Sequence, residues 1–95
     1  MKIFNKVVII GTGLIGGSLG LDLKKEHLVG RITGLSRKKK NAQLSKHIGA
    51  IDCAATSLEV TQDADLVILA TPIEAIIDTG LKISKIIKPD CVVID

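Results

Sequence analysis

The chain has 95 residues, 13 basic and 10 acidic side chains, a net charge of +3, and 46% apolar residues with Phe4 as its one aromatic. This length predicts one small domain, and its core must be built from Ile, Leu, Val and Ala, as is typical of sheets covered by helices. No apolar run approaches the roughly 18 residues of a membrane span, and the segment before the first apolar run is too short for a signal peptide.

Two cysteines, Cys53 and Cys91, lie far apart in the sequence. Their spacing fits no metal site, and two thiols do not make a disulfide scaffold. We therefore expect two buried free thiols in a reducing cytoplasm.

A glycine-rich turn between a strand and a helix is the most informative feature of the chain. The apolar run over residues 7–11 predicts a strand, and residues 14–25 predict a helix with Ile15, Leu19 and Leu23 at helical spacing. Strand, glycine turn and helix N-terminus together are the parts that hold a dinucleotide diphosphate, because the helix start offers unpaired N–H groups and a partial positive charge. The residues of this motif are Gly11, Thr12, Gly13, Leu14, Ile15 and Gly16.

The second predicted strand, over residues 31–37, bears on the choice of cofactor. NAD-binding folds place an acidic residue about 20 residues past the glycines, but this position holds Ser36, which Arg37 and Lys38 follow. A serine hydroxyl and a guanidinium suit a 2′-phosphate, which a carboxylate would repel. We therefore expect NADP, with NAD as the alternative, since Gly16 in the third glycine position is more typical of NAD sites. A solvated helix start is the plainer interpretation of the basic run.

The rest of the chain continues to alternate between strand and helix signals. We expect a thinly apolar helix over residues 39–48, a short strand over 51–55, a single helical turn over 58–62 capped by Ser57, and a central strand over 66–70. Thr71 and Glu74 have the spacing of a capping box, with Pro72 at the first position of a third helix. The apolar face of this helix is predicted to be buried and consists of Ile73, Ile76, Ile77 and Leu81. A fifth strand over 91–94 closes the pattern.

This alternation predicts an α/β fold, a Rossmann-type doubly wound parallel sheet with strand order 3-2-1-4-5. Because the chain stops at the end of a strand without a covering helix, we expect it to be truncated after the fifth strand. The single domain over residues 1–95 is then a partial NAD(P)-binding domain.

Two segments resemble the prephenate/arogenate dehydrogenase family: VVIIGTGLIGGSL at residues 7–19 and ADLVILATPI at residues 64–73. The ending VVID, at residues 92–95, is similar to the family's strand before a V-G-S-x-K segment. The resemblance implies an NAD(P)-dependent oxidoreductase of tyrosine biosynthesis, which decarboxylates prephenate or arogenate oxidatively. By motif match, the six glycine-motif residues hold the diphosphate, Ser36 and Arg37 contact the adenosine ribose, and Ala70, Thr71 and Pro72 line the path toward the nicotinamide.

The resemblance also implies what this segment lacks. The family's catalytic histidine and serine lie downstream, as does the helical domain that supplies much of the substrate site and the contacts of a homodimer. His27 and His47 are expected to be surface residues, so we predict that the segment binds cofactor without turning over substrate.

Three alternatives compete with this interpretation. Another β-hydroxyacid or imine dehydrogenase shares the fold, and a nucleotide-sensing regulatory domain uses the same glycine turn without catalysis. Nucleic-acid binding through residues 38–40 is the weakest alternative, because no aromatic side chains are interleaved to stack bases.

Overall fold

The computed structural model describes residues 3–11, 14–36 and 39–95. Within these ranges, five strands alternate with three helices and one 3₁₀ turn, Leu58–Thr61, on which Ser57 Oγ accepts the Glu59 N–H as predicted. The strands are β1 (Phe4–Ile10), β2 (Val29–Leu35), β3 (Cys53–Ala55), β4 (Leu66–Leu69) and β5 (Val92–Ile94). The helices are α1 (Leu14–Lys25), α2 (Lys39–His47) and α3 (Ile73–Ile83).

All five strands are parallel and lie in the order β3-β2-β1-β4-β5, which confirms the predicted topology. The central strand β1 pairs with β2 on one side and with β4 on the other, so that Val7 lies between Ile32 and Leu66. The chain leaves this centre in opposite directions, first through α1 toward β2 and later through α3 toward β5. Right-handed crossovers then place the two helices on opposite faces of the sheet.

Each face of the sheet buries its own apolar layer. On one face Val7, Ile9, Ile32, Leu66 and Ile68 are covered by Leu19 and Leu23 of α1. On the other face Val8, Ile10, Val67 and Leu69 lie under the 3₁₀ turn and α3. The continuous burial of residues 7–10 of β1 and of all of β4 is what a parallel sheet covered on both sides requires.

Gly20 and Gly30 permit close approach between backbone segments in this fold. A Cβ at Gly30 would lie 2.4 Å from the Asn5 carbonyl oxygen, and a Cβ at Gly20 would lie 2.4 Å from the Ala50 carbonyl oxygen. Gly20 therefore lets α1 pack against the segment that leads into β3. The strand β2 begins at Val29 rather than at the predicted residue 31, because Gly30 continues the strand instead of interrupting it.

The third helix differs from the prediction in which face it buries. Ile73, Ile77 and Leu81 are 82%, 74% and 64% exposed, whereas Ile83 is 1% exposed and Ile76 packs under the sheet. The expected burial of Ile73, Ile77 and Leu81 was wrong. Helical spacing identifies an apolar stripe, but α3 carries two such stripes and the sheet contacts the one that contains Ile76 and Ile83.

The start of α3 also differs from the prediction. Pro72 is the N-cap, with φ −55° and ψ 150°, and no side chain caps the helix. The capping box of Thr71 and Glu74 was therefore wrong, because a non-helical Pro72 moves the helix start to Ile73 and leaves Thr71 outside the cap.

Carboxylates join the strands at the opposite end of the sheet from the glycine turn. Asp65 Oδ2 accepts the N–H groups of Asn5 and Lys6 at 3.0 and 2.9 Å, and its Oδ1 accepts from Lys88 Nζ at 2.6 Å. These hydrogen bonds, with that of Lys88 the strongest, lower the pKa of the Asp65 carboxyl. Asp52 Oδ2 similarly accepts the Ile32 N–H at 2.8 Å.

Candidate dinucleotide-binding site

The turn after β1 requires a glycine for two reasons. Gly11 has φ +94°, and a Cβ there would lie 2.7 Å from the Ala70 carbonyl oxygen. The Gly11 N–H donates to the Leu35 carbonyl at 2.6 Å. The turn thus draws the carboxyl ends of β1, β2 and β4 together.

The remaining residues of the glycine motif follow this turn. Thr12 and Gly13 lie outside the described residues, and Leu14, Ile15 and Gly16 form the first turn of α1. The first N–H groups of a helix have no intrahelical acceptor, so a helix start at this edge of the sheet suits an anion.

A cleft of about 880 Å³ opens at the same edge of the sheet. Five of the predicted site residues line it: Gly11, Ser36, Ala70, Thr71 and Pro72. Arg37 and Lys38, which were predicted to contact the adenosine end, lie outside the described residues. The structure therefore brings the ends of β1, β2 and β4 to one cavity, as a ligand site at a topological switch point requires.

The sequence analysis missed the side wall of this cleft. Ile10, Leu35 and Leu58 contribute apolar surface, and Asn41 and Thr56 contribute polar groups. The cleft-facing edge of α3 adds Glu74, Ala75, Asp78, Thr79 and Lys82. The helical spacing of Ala75, Asp78, Thr79 and Lys82 was visible in the sequence as a polar edge beside the apolar stripes, and it could have identified this wall.

Two of the three charged side chains on the α3 wall, Asp78 and Lys82, are paired with each other. Lys82 Nζ lies 3.0 Å from Asp78 Oδ2, one helical turn away. Because both side chains are exposed at the rim, the pair contributes little to stability. Leu35, Leu58 and Ala75 contribute apolar surface to the same cleft.

The Thr71 hydroxyl is buried in the cleft wall without a hydrogen-bond partner among the described residues. The Thr71 side chain borders the Gly11 turn, where a Cβ would overlap the Ala70 carbonyl oxygen. A buried hydroxyl without a partner at this position fits a binding site for a polar ligand. Both observations are consistent with a diphosphate lying against the Gly11 turn.

Other candidate chemistry is not found in the described ranges. No group of three or more His, Cys, Asp or Glu side chains within them could hold a metal ion. Cys53 and Cys91 are free and half-buried rather than fully buried as expected. His27 and His47 are exposed at helix ends, and among the described helices none has the length and apolarity to cross a membrane.

Comparisons with known proteins identify the family. Residues 19–95 match the family model described as prephenate dehydrogenase, nucleotide-binding domain, so the matched stretch begins just after the glycine motif. The prephenate dehydrogenase of Lactococcus lactis subsp. cremoris is 37% identical over 73 residues, which are 77% of this chain and 20% of that protein. The Bacillus subtilis prephenate dehydrogenase is 39% identical over 69 residues, 72% of this chain and 19% of that protein.

Solved structures agree with this assignment. Arogenate dehydrogenase from Synechocystis superposes with a TM-score of 0.85 at 31% identity, over 93% of this chain and 31% of that chain. Prephenate dehydrogenase from A. aeolicus, in complex with hydroxyphenyl propionate and NAD+, gives a TM-score of 0.87 at 28% identity, over 94% of this chain and 32% of that chain. The (S)-3-hydroxybutyryl-CoA dehydrogenase of Ralstonia eutropha, at 14% identity, shares the fold alone.

The chain spans about a fifth of the length of the curated relatives and about a third of these solved chains. Within that span, the family match, the parallel sheet and the glycine turn agree. The chain belongs to the prephenate dehydrogenase family and corresponds to its nucleotide-binding domain.

Proposed function

We propose that residues 1–95 are the cofactor-binding domain of a dehydrogenase that acts on prephenate or arogenate in tyrosine biosynthesis. The single observation that carries this proposal is the cleft, in which Gly11 and the ends of β2 and β4 meet in a chain of this family. The family match favours this function over other dehydrogenases of the same fold and over a nucleotide-sensing domain.

The residues of the chain would hold the cofactor along this edge of the sheet. Gly11, Thr12 and Gly13 would admit the diphosphate, and the first turn of α1, with Leu14, Ile15 and Gly16, would offer it N–H donors. The apolar side chains of Leu35, Leu58 and Ala75, which line the cleft, would suit the adenine ring. Ala70, Thr71 and Pro72 would line the path toward the nicotinamide, which accepts the hydride when the cofactor is bound.

The relatives support a nicotinamide dinucleotide, since one of them holds NAD+. For this chain we propose NADP as the preferred form. Ser36, at the cleft and directly after β2, takes the place where NAD sites carry a carboxylate for the ribose hydroxyls. Arg37 and Lys38 follow it and would neutralise a 2′-phosphate.

The substrate, the catalytic groups and the oligomer belong to the whole protein. We propose that a further domain supplies the catalytic histidine, most of the substrate site and a homodimer contact, so that this segment alone binds cofactor without turnover. We place the protein in the cytoplasm, an assignment that the free thiols of Cys53 and Cys91 support.

Isothermal titration calorimetry on the folded chain tests the proposal with NADPH and NADH as ligands. Binding of either dinucleotide, abolished by Gly13→Val, supports the site. The absence of binding to both by a chain with native circular dichroism would refute it.

The cofactor preference has its own test. Arg37→Ala should weaken NADPH binding by roughly 10- to 100-fold, the value of a charge-assisted hydrogen bond, with little effect on NADH. Arg31→Ala, the same substitution at an exposed position earlier in β2, should leave both affinities unchanged. Equal losses for NADPH and NADH in Arg37→Ala would contradict a role at the 2′-phosphate.

A further inference from the structure

Thr71 stands out among the threonines of the described chain. It follows the carboxyl end of β4 and lines the cleft, yet its Oγ1 is buried and has no hydrogen-bond partner among the described residues. Thr61, also buried, donates from its Oγ1 to the Leu58 carbonyl at 2.7 Å. Thr61 thus uses its hydroxyl inside the fold, whereas Thr71 makes no such bond to the described part of the chain.

An unpartnered buried hydroxyl lowers the stability of the fold. The group loses its hydrogen bonds to water and gains none in return, whereas valine would fill nearly the same volume without that loss. Packing against the described residues therefore does not account for a threonine at position 71, whereas a bound ligand with an acceptor oxygen would.

The surroundings of Thr71 indicate what that partner is. Its methyl carbon Cγ2 lies 3.1 Å from the point that a Cβ on Gly11 would occupy, so the side chain borders the turn where the backbone leaves room for a ligand. The three staggered states of χ1 exchange the positions of Oγ1 and Cγ2. A rotation to the neighbouring state moves the hydroxyl to the side of the Gly11 turn.

We infer that Thr71 is a positioning residue whose hydroxyl turns into the cleft and donates a hydrogen bond to an oxygen of the bound dinucleotide. The acceptor would be an oxygen of the diphosphate or of the nicotinamide ribose, and the titrations described below distinguish the two. This inference rests on the proposed function, because it requires a dinucleotide in the cleft. It assigns to Thr71 a specific hydrogen bond, in addition to its place in the cleft wall.

The test measures the stability of the ligand-free chain and its affinity for the dinucleotide, which the inference predicts to change in opposite directions. Thr71→Val should raise the urea midpoint of the chain without ligand, since it removes the orphaned hydroxyl. The same variant should weaken dinucleotide binding by roughly two- to tenfold, the loss of one hydrogen bond. Thr71→Ser, which keeps the hydroxyl, should bind within twofold of the wild type.

Thr61→Val is the matched control, because it deletes a buried hydroxyl that is satisfied within the fold and lies outside the cleft. This variant should lower the urea midpoint and leave the affinity unchanged. Titrations with ADP distinguish the two acceptors: a loss shared by ADP and the dinucleotides assigns the diphosphate, and a loss confined to the dinucleotides assigns the nicotinamide ribose.

The outcomes separate this inference from the proposed function. Unchanged dinucleotide affinity in Thr71→Val, with a wild type that binds, overturns the role of Thr71 and leaves the site standing. A lower urea midpoint in Thr71→Val overturns it too, because the hydroxyl would then have a structural partner. A folded wild type that binds no dinucleotide overturns both.

Discussion

The two helical glycines Gly20 and Gly80 are predicted to respond to alanine with opposite signs. Both lie inside helices, Gly20 in α1 and Gly80 in α3. Helix propensity alone favours alanine over glycine by about 1 kcal/mol at each position. The surroundings differ, since a Cβ at Gly20 would lie 2.4 Å from the Ala50 carbonyl oxygen and one at Gly80 would meet nothing within 4 Å.

The overlap at Gly20 determines the sign there. Close carbon–oxygen contacts in proteins lie near 3.3 Å, so α1 and the Ala50 backbone must separate, and a backbone oxygen cannot rotate away as a side chain would. Overpacking of this kind costs about 1–3 kcal/mol, and the upper part of that range exceeds the propensity gain. We expect Gly20→Ala to lower the free energy of unfolding by about 1–2 kcal/mol and Gly80→Ala to raise it by about 0.8–1 kcal/mol.

Urea denaturation of the two variants beside the wild type measures both changes under the same conditions. The slope of unfolding free energy against urea should stay constant, so that the shifts in midpoint report stability. A Gly20→Ala chain that is as stable as the wild type, or more so, would refute the close approach of α1 to Ala50.

Two further predictions concern single residues at the edges of the fold. The pKa of Asp65 is lowered by hydrogen bonds from Lys88 and from the Lys6 backbone, so the carboxylate's contribution to stability is complete above its ordinary pKa of 3.8 and disappears as the pH falls through the lower folded value. Asp65→Asn should therefore reduce stability at neutral pH. The urea midpoints of this variant and of the wild type should converge when they are measured down to pH 2. His27 has a left-handed backbone at the end of α1, with φ +56°, a conformation that glycine adopts more readily than other residues. His27→Gly should therefore raise the free energy of unfolding by about 0.5–1 kcal/mol, whereas His27→Ala should not. An equal gain in urea denaturation from both variants would contradict the left-handed backbone.

The sequence was sufficient to predict the order of the strands and the edge of the sheet at which the cleft lies. Residues 14–25 form α1 as predicted, and the strand order follows from alternation and right-handed crossovers. Gly11, Ser36 and Thr71 lie at the cleft because the carboxyl ends of parallel strands meet at one edge.

The orientation of α3 could not be predicted in the same way. Its apolar residues fall on two stripes, and spacing alone does not say which one the sheet contacts. The direction in which the chain leaves β4 through Pro72 determines this, and that direction is a property of the tertiary structure. The side wall that includes Asp78 and Lys82, by contrast, follows a helical spacing that is visible in the sequence.

The position of β1 between β2 and β4 also determines how a bound ligand would affect the stability of the folded chain. A ligand seated over the ends of these strands touches segments that are far apart in sequence, so it binds the native chain and not the unfolded one. At one hundred times its dissociation constant, such a ligand adds about 2.7 kcal/mol to the folding equilibrium. Openings that separate β1 from β2 or β4 would therefore become rarer as the cleft fills, whereas fraying of the short outer strands β3 and β5, which do not line the cleft, would be unaffected.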